Sequence, residues 1–212
     1  MRSGTSLLDR ALGVLLVGPL LAVFAMPVRG AAEPPDGWIT FAGNPQHTGV
    51  SSAAAQPFEV IRWSTPVDLA PPSGDILIHY GSPLVTPANT VIIPVKTGAS
   101  GGYEVQARSG KDGSLIWSET SHYILPPHNW TPSYSPTLAL NTRLYFPGAG
   151  GTVYFRDTVD ASGPAPSGQL AFFGESNYAA NPASFDSTVF INTPLTADTA
   201  GNIYFGFRTA TW

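Results

Sequence analysis

The 212-residue chain contains no cysteine. This absence excludes a disulfide framework, a thiolate metal site and a cysteine nucleophile, whatever the redox state of the compartment. It also excludes a lipid anchor on an N-terminal cysteine. The chain must therefore be held together by its core, and a hydrophobic content of 43% is sufficient for one of reasonable size.

Positive charge is scarce, and Lys96 and Lys111 are the only lysines. Residues 1–32 contain three arginines and one aspartate, so the remainder has 7 basic and 13 acidic residues and a formal charge of −6. Nucleic-acid binding depends on clustered Lys and Arg side chains that neutralise phosphates. We therefore expect no nucleic-acid partner.

A hydrophobic run long enough to cross a membrane is also lacking. The longest apolar segment, residues 11–24, is shorter than the roughly 20 residues that span a bilayer. Arg2 and Arg10 precede it and small residues follow at 30–32, which is the layout of a secretory signal. We predict a signal peptide at 1–32 and an exported protein, periplasmic or extracellular, without a retained transmembrane anchor. An uncleaved anchor is the alternative.

No helical period follows residue 24. Glycine and proline, with 22 and 21 residues, instead separate short runs that are rich in Val, Ile, Tyr and Phe. This alternation is typical of strands and turns. The sequence therefore predicts an all-β fold.

The predicted strands belong to a repeated unit. The run SPLVTPANTVIIPV (82–95) recurs as SPTLALNTRLYFPG (135–148) and as TPLTADTAGNIYFGF (193–207), with starts 53 and 58 residues apart. A glycine-rich turn and a further strand follow the first two copies, at GGYEVQAR (101–108) and GGTVYFRD (150–157). A period of about 54 residues indicates a repeat architecture.

An aromatic residue closes each copy. GSLIW ends in Trp117 and GQLAF ends in Phe172, 55 residues later. Trp63, in VIRWS, lies 54 residues before Trp117 but has no similar strands before it. We therefore interpret residues 59–67 as the closing strand of a unit whose other strands lie elsewhere.

Each unit is predicted to be a four-stranded antiparallel sheet. In the first copy we place the strands near residues 83–87, 90–95, 103–108 and 114–118. A lone sheet of this kind buries only one face well, so repeated sheets pack against their neighbours. Four strands per repeat with a closing aromatic favour a β-propeller. A β-sandwich is the alternative, but it does not account for the fixed period.

The predicted fold is an incomplete β-propeller of about two and a half antiparallel blades. Its parts are a lead-in segment (33–58), a closing strand (59–67), blade 1 (76–120), blade 2 (130–175) and the start of blade 3 (188–212). The missing blades would come from the rest of a longer chain or from other protomers. Pro94 and Pro147 match in the repeat and predict a strand end or a bulge, because proline donates no ladder hydrogen bond.

YEVQARSGKDGSLIW (103–117) resembles the repeat of the pyrroloquinoline-quinone-dehydrogenase-like propellers, also called quinoprotein-like, whose units close with Gly-x-x-x-Trp. WITFAGNPQHTGVSS (38–52) is similar to the lead-in of such exported propellers. The resemblance implies a ring of seven or eight blades. In its enzymatic members it implies oxidation of alcohols or sugars with pyrroloquinoline quinone (PQQ) and calcium. Here Arg108 and Asp112 depart from the repeat pattern. The pair of vicinal cysteines that many quinone-binding members use is absent, and no residue of this chain can be matched to a quinone-binding residue of the family.

The connection at residues 118–135, which joins two predicted blades and is longer than usual, is the candidate binding surface. Its aromatic and imidazole side chains are amphipathic and suit a ligand or a partner. They are His122, Tyr123, His128, Trp130 and Tyr134. The alternative is that Trp130 fills a gap between blades. We predict no metal site, because the spacing of His122 and His128 is not specific for metal ligands.

Catalytic motifs are weak. GASGG (98–102) fits the G-x-S-x-G pattern around Ser100, but a strand follows it where a nucleophile elbow requires a helix, so a hairpin turn is the better interpretation. Asp157 and Asp160 flank a turn and are interpreted as turn formers. We predict no catalytic residue.

The leading functional hypothesis is an exported, non-catalytic propeller segment that offers a binding or scaffolding surface to an unknown protein or glycan and needs no cofactor. Two alternatives stay open. One is the N-terminal fragment of a PQQ-dependent alcohol or sugar dehydrogenase. The other is a carbohydrate-binding propeller that uses exposed aromatic side chains such as that of Trp130.

Overall fold

A computed structural model describes residues 37–54, 57–71, 81–98, 101–126 and 133–210. The predicted signal peptide at 1–32, together with Ser100, His128 and Trp130, lies outside the described residues. The described chain is mostly β-strand with two short helices. Neither of these helices has the length and apolar character needed to cross a membrane.

The first unit is a four-stranded antiparallel sheet in the order β1-β2-β3-β4. Its strands are β1 (Leu84–Val85), β2 (Thr90–Lys96), β3 (Tyr103–Ser109) and β4 (Leu115–Ser121). This confirms the predicted four-stranded sheet and the positions of its strands, although β4 continues beyond the predicted end at residue 118.

The second unit repeats this topology in the order β5-β6-β7-β8. Its strands are β5 (Thr137–Ala139), β6 (Arg143–Pro147), β7 (Thr152–Asp157) and β8 (Ser167–Ala171). A 3₁₀ turn, Ala149–Gly151, connects β6 to β7. The strand registers correspond, because Val91 lies opposite Arg108 as Leu144 lies opposite Arg156.

The third unit is shorter. Its strands are β9 (Val189–Ile191), β10 (Thr196–Ala197), β11 (Ile203–Tyr204) and β12 (Phe207–Thr209). β10 pairs with β11 in the manner of β1 with β2, and β9 pairs with β12. The similarity of residues 193–207 to the earlier copies therefore corresponds to the same strand-turn-strand arrangement.

Two helices, α1 (Glu175–Ala180) and α2 (Pro182–Thr188), lie between the second and third units. The prediction that no helix follows residue 24 is therefore wrong. Each helix has at most seven residues and buries none of its own side chains. Two turns of helix are too few to show a hydrophobic period in the sequence. Pro182 stands in the first turn of α2, where its missing N–H is not needed.

The two repeated prolines take different positions. Pro147 ends β6, as predicted, whereas Pro94 lies within β2 opposite Val105. β1 pairs with residues 91 and 92 of β2, so Pro94 lies outside this pairing.

The strands β1, β5 and β10, which occupy equivalent positions in the three copies of the repeat, are called the inner strands here. Equivalent positions at the starts of these strands lie side by side. The Ser82 amide donates to Ser135 Oγ (3.2 Å), and the Leu195 amide donates to the Ser135 carbonyl (3.2 Å). The Ala197 amide donates to Thr137 Oγ1 (3.1 Å). Successive units are therefore in contact through corresponding residues of their inner strands.

Trp117 joins the first unit to the second. Its buried indole donates a hydrogen bond from Nε1 to the Val159 carbonyl (2.7 Å), in the turn between β7 and β8. The Arg156 guanidinium lies over the indole, 4.4 Å from the ring centroid, and also pairs with Glu119 of β4. Trp117 thus contacts the next unit, as the repeat predicts.

Trp63 makes the corresponding contact with the first unit. Its Nε1 donates to the Gly110 carbonyl (3.1 Å), in the turn between β3 and β4. Gly113, at φ +75°, leaves room for the ring, since a Cβ there would lie 2.8 Å from Trp63 Cδ2. The sequence match of Trp63 with Trp117 therefore reflects a shared packing position.

Phe172 is not the equivalent of Trp117 in the sheet. Trp117 lies inside β4 opposite Ala107, whereas Phe172 follows the end of β8 and is half exposed. Its ring packs on Phe205 (5.7 Å between centroids) and Phe207 (4.7 Å), so it still contacts the following unit.

Candidate functional site

Two of the predicted surface residues lie in the core. The side chains of Tyr123 and Tyr134 are 2% and 0% exposed. With Tyr103 of β3 they form a ring cluster with centroid distances of 4.6–5.3 Å. Tyr123 Oη also donates to the Ile191 carbonyl of β9 (2.7 Å). The prediction that Tyr123 and Tyr134 form a binding surface is therefore corrected: they connect the first unit to the third.

Burial also determines the chemistry of these phenols. Removal from water raises the pKa of Tyr123 and of Tyr134 above the ordinary value, because the charged phenolate loses its hydration. Both remain neutral at physiological pH. Neither is poised as a base.

His122 is the one predicted surface residue that the structure both describes and places in solvent. Its Nδ1 lies 2.8 Å from the Tyr154 hydroxyl, and the two rings stack with centroids 6.2 Å apart. Nearby, Tyr178 Oη donates to Asp186 Oδ1 of α2 (2.9 Å). A Cβ at Gly150 would lie 2.6 Å from that carboxylate oxygen, so the 3₁₀ turn approaches it closely.

This His122 cluster is defined as His122, Tyr154, Tyr178 and Asp186. Its polar groups bind one another in two pairs, His122 with Tyr154 and Tyr178 with Asp186. Burial is the main cause that raises the pKa of Tyr154 and Tyr178. Within the described residues no three His, Asp or Glu side chains are close enough together to hold a metal ion.

A groove with a volume of about 710 Å³ lies in the second unit, at the strand ends opposite to the His122 cluster. It is called the turn groove here. The turn after β5 and the turn after β7 form its walls, and Gly201 of the third unit borders it. Its lining includes Leu140, Asn141, Tyr145, Thr158 and Asp160. A volume of this size is in the usual range for small-molecule sites.

The backbone around the turn groove is strained. Of the six described non-glycine residues with positive φ, three border this groove: Leu140 (51°), Asn141 (55°) and Thr158 (52°). Leu140 and Thr158 are costlier than Asn141, since bulky and β-branched side chains are disfavoured in this conformation, and 60% of Leu140 is exposed. Strain of this kind, of order 1–3 kcal/mol per residue, is concentrated at functional sites.

Two of the three charged side chains that line the turn groove form an ion pair. Arg143 donates from Nε to Asp157 Oδ1 (2.6 Å) and from Nη2 to Asp157 Oδ2 (2.8 Å), and its guanidinium lies 4.5 Å above the Phe155 ring. The hydrogen bond from Arg143 lowers the pKa of Asp157. Asp160 Oδ1 accepts a hydrogen bond from Thr86 Oγ1 (2.6 Å). The groove therefore offers fixed, largely compensated polar groups around an apolar wall.

A smaller depression of about 360 Å³ adjoins the turn groove and shares Leu140 and Asn141 with it. Ile39, Pro45, Asp198 and Thr199 complete its lining. Leu140 is therefore an exposed apolar projection between two concave surfaces.

Sequence reasoning did not find the turn groove. Asp157 and Asp160 were interpreted as turn formers, which agrees with their places around the turn, but their convergence with Arg143 and Leu140 depends on strand pairing. One signal was present: Leu140 and Asn141 stand in the short hairpin connection between Ala139 and Arg143, where glycine is the usual residue for a left-handed backbone.

The chain matches no protein-family model and no curated protein at a significant level.

Proposed function

We propose that this chain is an exported, non-catalytic segment of a β-propeller and that the turn groove is its ligand-binding surface. The observation that supports the propeller is the repeated packing position of Trp63 and Trp117. Four-stranded units that meet through corresponding inner-strand residues are the arrangement expected around a common axis. The quinoprotein-like repeat fits this arrangement.

The extended segment around Trp63 supports a longer ring. In the part of the chain that the structure describes, residues 57–66 have no strand partner. Phe58, Val60 and Ile61 are largely exposed there. An unpaired apolar strand is an aggregation hazard that proteins normally cover. Strands of a preceding unit, from a longer chain or another protomer, would cover it.

The turn groove favours a neutral, hydroxyl-rich ligand such as a glycan. Arg143 and Asp157 satisfy each other, so an anionic ligand gains no free cation from this pair. Asn141 and Thr158 are exposed and can exchange hydrogen bonds with hydroxyl groups. Leu140 and Tyr145 supply apolar surface for the faces of sugar rings.

Glycan binding is tested with the substitution Asn141→Gly, because glycine accepts the left-handed backbone and removes only the amide. We expect at least about a tenfold loss of affinity on a glycan array and in titration calorimetry, the loss of about one good hydrogen bond. The matched control is Asn89→Gly, since Asn89 has φ 65° in the corresponding turn of the first unit. Unchanged binding in Asn141→Gly, or no glycan bound by the unmodified protein, would overturn this assignment.

A second proposal is that the chain forms the N-terminal part of a PQQ-dependent alcohol or sugar dehydrogenase, which the resemblance at residues 103–117 favours. The described residues contain no group of three carboxylate or imidazole ligands suited to calcium, so residues for PQQ and calcium would lie elsewhere. Adding PQQ and calcium to the full-length protein and assaying dye-linked alcohol and sugar oxidation separates the two proposals. Activity would overturn the non-catalytic one.

A further inference from the structure

The lead-in loop, defined here as residues 37–49, crosses the inner strands of all three units. In the first unit it pairs with the end of β1. The Trp38 amide donates to the Val85 carbonyl (2.7 Å), and the Val85 amide donates to the Trp38 carbonyl (2.9 Å). Gly37 lies so close to β1 that a Cβ would be 2.5 Å from the Val85 oxygen.

The next residues of the loop bind the second and third units. The Ile39 carbonyl accepts hydrogen bonds from the Leu138 amide (2.8 Å) and from Thr137 Oγ1 (3.4 Å). Thr40 is completely buried, and its Oγ1 donates a hydrogen bond to the Leu195 carbonyl (3.1 Å). His47 Nε2 lies 2.9 Å from Thr196 Oγ1. Ten residues of one segment therefore contact three successive units.

These contacts cover exposed strand edges. β1 and β5 are the terminal strands of their sheets, and β10 is one of two strands in its own. The free edge of a strand presents unpaired N–H and C=O groups that invite pairing with other chains. The lead-in loop pairs with the amide and carbonyl of Val85 in the first unit, with the Leu138 amide in the second and with the Leu195 carbonyl in the third.

The loop is also folded within itself. Asn44 Oδ1 accepts hydrogen bonds from the amides of Gln46 (3.1 Å) and Thr48 (3.2 Å), and the Gly49 amide donates to the Ala42 carbonyl (2.9 Å). Ile39 and Pro45 line the small depression beside Leu140 and Asn141. The loop therefore lies at the end of the inner strands where their first hairpin turns are.

We propose that the lead-in loop is an internal seal, which pairs with the inner edges of three successive units and closes the turn end of the inner-strand assembly. A ligand or partner then reaches the inner strands only from the opposite end, where His122 and the connections between units lie. The turn groove is outside the seal, so this inference does not depend on glycan binding and is tested separately.

The absence of cysteine in the chain permits a direct test by thiol labelling. Thr40→Cys places a thiol at the buried centre of the seal. Ala107→Cys is the buried reference in β3, and Ser51→Cys is the exposed reference in the same N-terminal segment. We expect Thr40→Cys to react with a maleimide at least about 100-fold more slowly than Ser51→Cys, since labelling requires local opening. Comparable labelling rates for Thr40→Cys and Ser51→Cys would overturn the proposal.

Amide hydrogen exchange supplies a test on the unmodified protein, which can be carried out even if Thr40→Cys does not fold. In the unmodified protein the amides of Val85 and Leu138 donate to the loop and are expected to be protected. Exchange of these two amides as fast as that of Ser51 would contradict the proposal.

Thr40→Asp tests whether the seal orders the strands beneath it. A buried unpaired carboxylate is costly, so the loop is expected to leave its site. Exchange should then rise together at residues 84–85, 137–138 and 195–197 and stay unchanged at 153–156 of β7. The control Ser51→Asp should change none of these. Faster exchange in the loop alone would overturn the proposal. If the amides of residues 153–156 also exchange faster, the whole fold has opened in this variant. The maleimide labelling rates of Thr40→Cys and Ser51→Cys then decide whether the proposal holds.

Discussion

At the scale of single residues, the turn groove combines strained turns with paired charges. Arg143 is fixed by two hydrogen bonds to Asp157 and by the Phe155 ring below it. Leu140 has an exposed side chain on a left-handed backbone. Each feature costs free energy or orders a side chain that could otherwise move. Their occurrence around one concavity is the residue-level evidence for a binding surface.

The Arg143–Asp157 pair makes stability depend on pH. Because the pKa of Asp157 is lowered in the folded state, its contribution is fully present above the unfolded value of about 4 and is lost as the pH falls through the lowered pKa. We expect Asp157→Asn to be less stable than the unmodified protein at pH 6, by less than about 1 kcal/mol because the pair is partly exposed. The difference should shrink below about pH 4, as measured by urea unfolding.

The control for this titration is the same substitution in an Arg143→Gln background. Without the guanidinium, Asp157→Asn should have a nearly pH-independent effect. Equal stability of Asp157→Asn and the unmodified protein at pH 6 would show that the pair contributes nothing.

At the scale of elements, glycines with positive φ occur in the hairpin turns of the units and in the lead-in loop, and they have different tasks. Gly113 lies at φ +75° under the Trp63 ring, whereas Gly49 lies at φ +66° with nothing near its missing side chain. The first glycine is therefore required by backbone and packing together. The second is required by backbone alone.

This difference predicts the effects of two alanine substitutions. Both incur the cost of a left-handed alanine, about 1–2 kcal/mol, but only Gly113→Ala also displaces the Trp63 ring. We expect Gly113→Ala to lower the free energy of unfolding by more than Gly49→Ala. The excess should disappear in a Trp63→Ala background, as measured by chemical denaturation. Equal effects of the two substitutions would mean that Trp63 does not pack on Gly113.

Much of the element order could be predicted from the sequence, because strand periods, turn residues and a 54-residue repeat are local signals. Helices α1 and α2 could not, since two turns show no period. The surface assigned to Tyr123 and Tyr134 was wrong because their burial depends on Tyr103 and Ile191, which are distant in the chain. The turn groove was missed for the same reason: three separate turns form it.

At the scale of the whole molecule, the units are connected by a few specific contacts. Trp117 and Glu119 of the first unit bind Arg156 of the second, and Tyr123 of the first binds Ile191 of the third. The lead-in loop crosses all three inner strands. This pattern, in which each unit depends on its neighbours, is typical of repeat proteins. It is the physical basis for proposing a propeller segment.

The contact of Trp117 with Arg156 provides the most direct measurement of this account, because it holds one repeated unit against the next. A double-mutant cycle with Trp117→Leu and Arg156→Met, followed by urea unfolding, isolates the interaction between the two side chains. We predict a favourable coupling free energy of about 0.5–2 kcal/mol, as expected for a buried cation–π pair. A coupling free energy of zero, with both single variants folded, would contradict the packing of successive units on which the account rests.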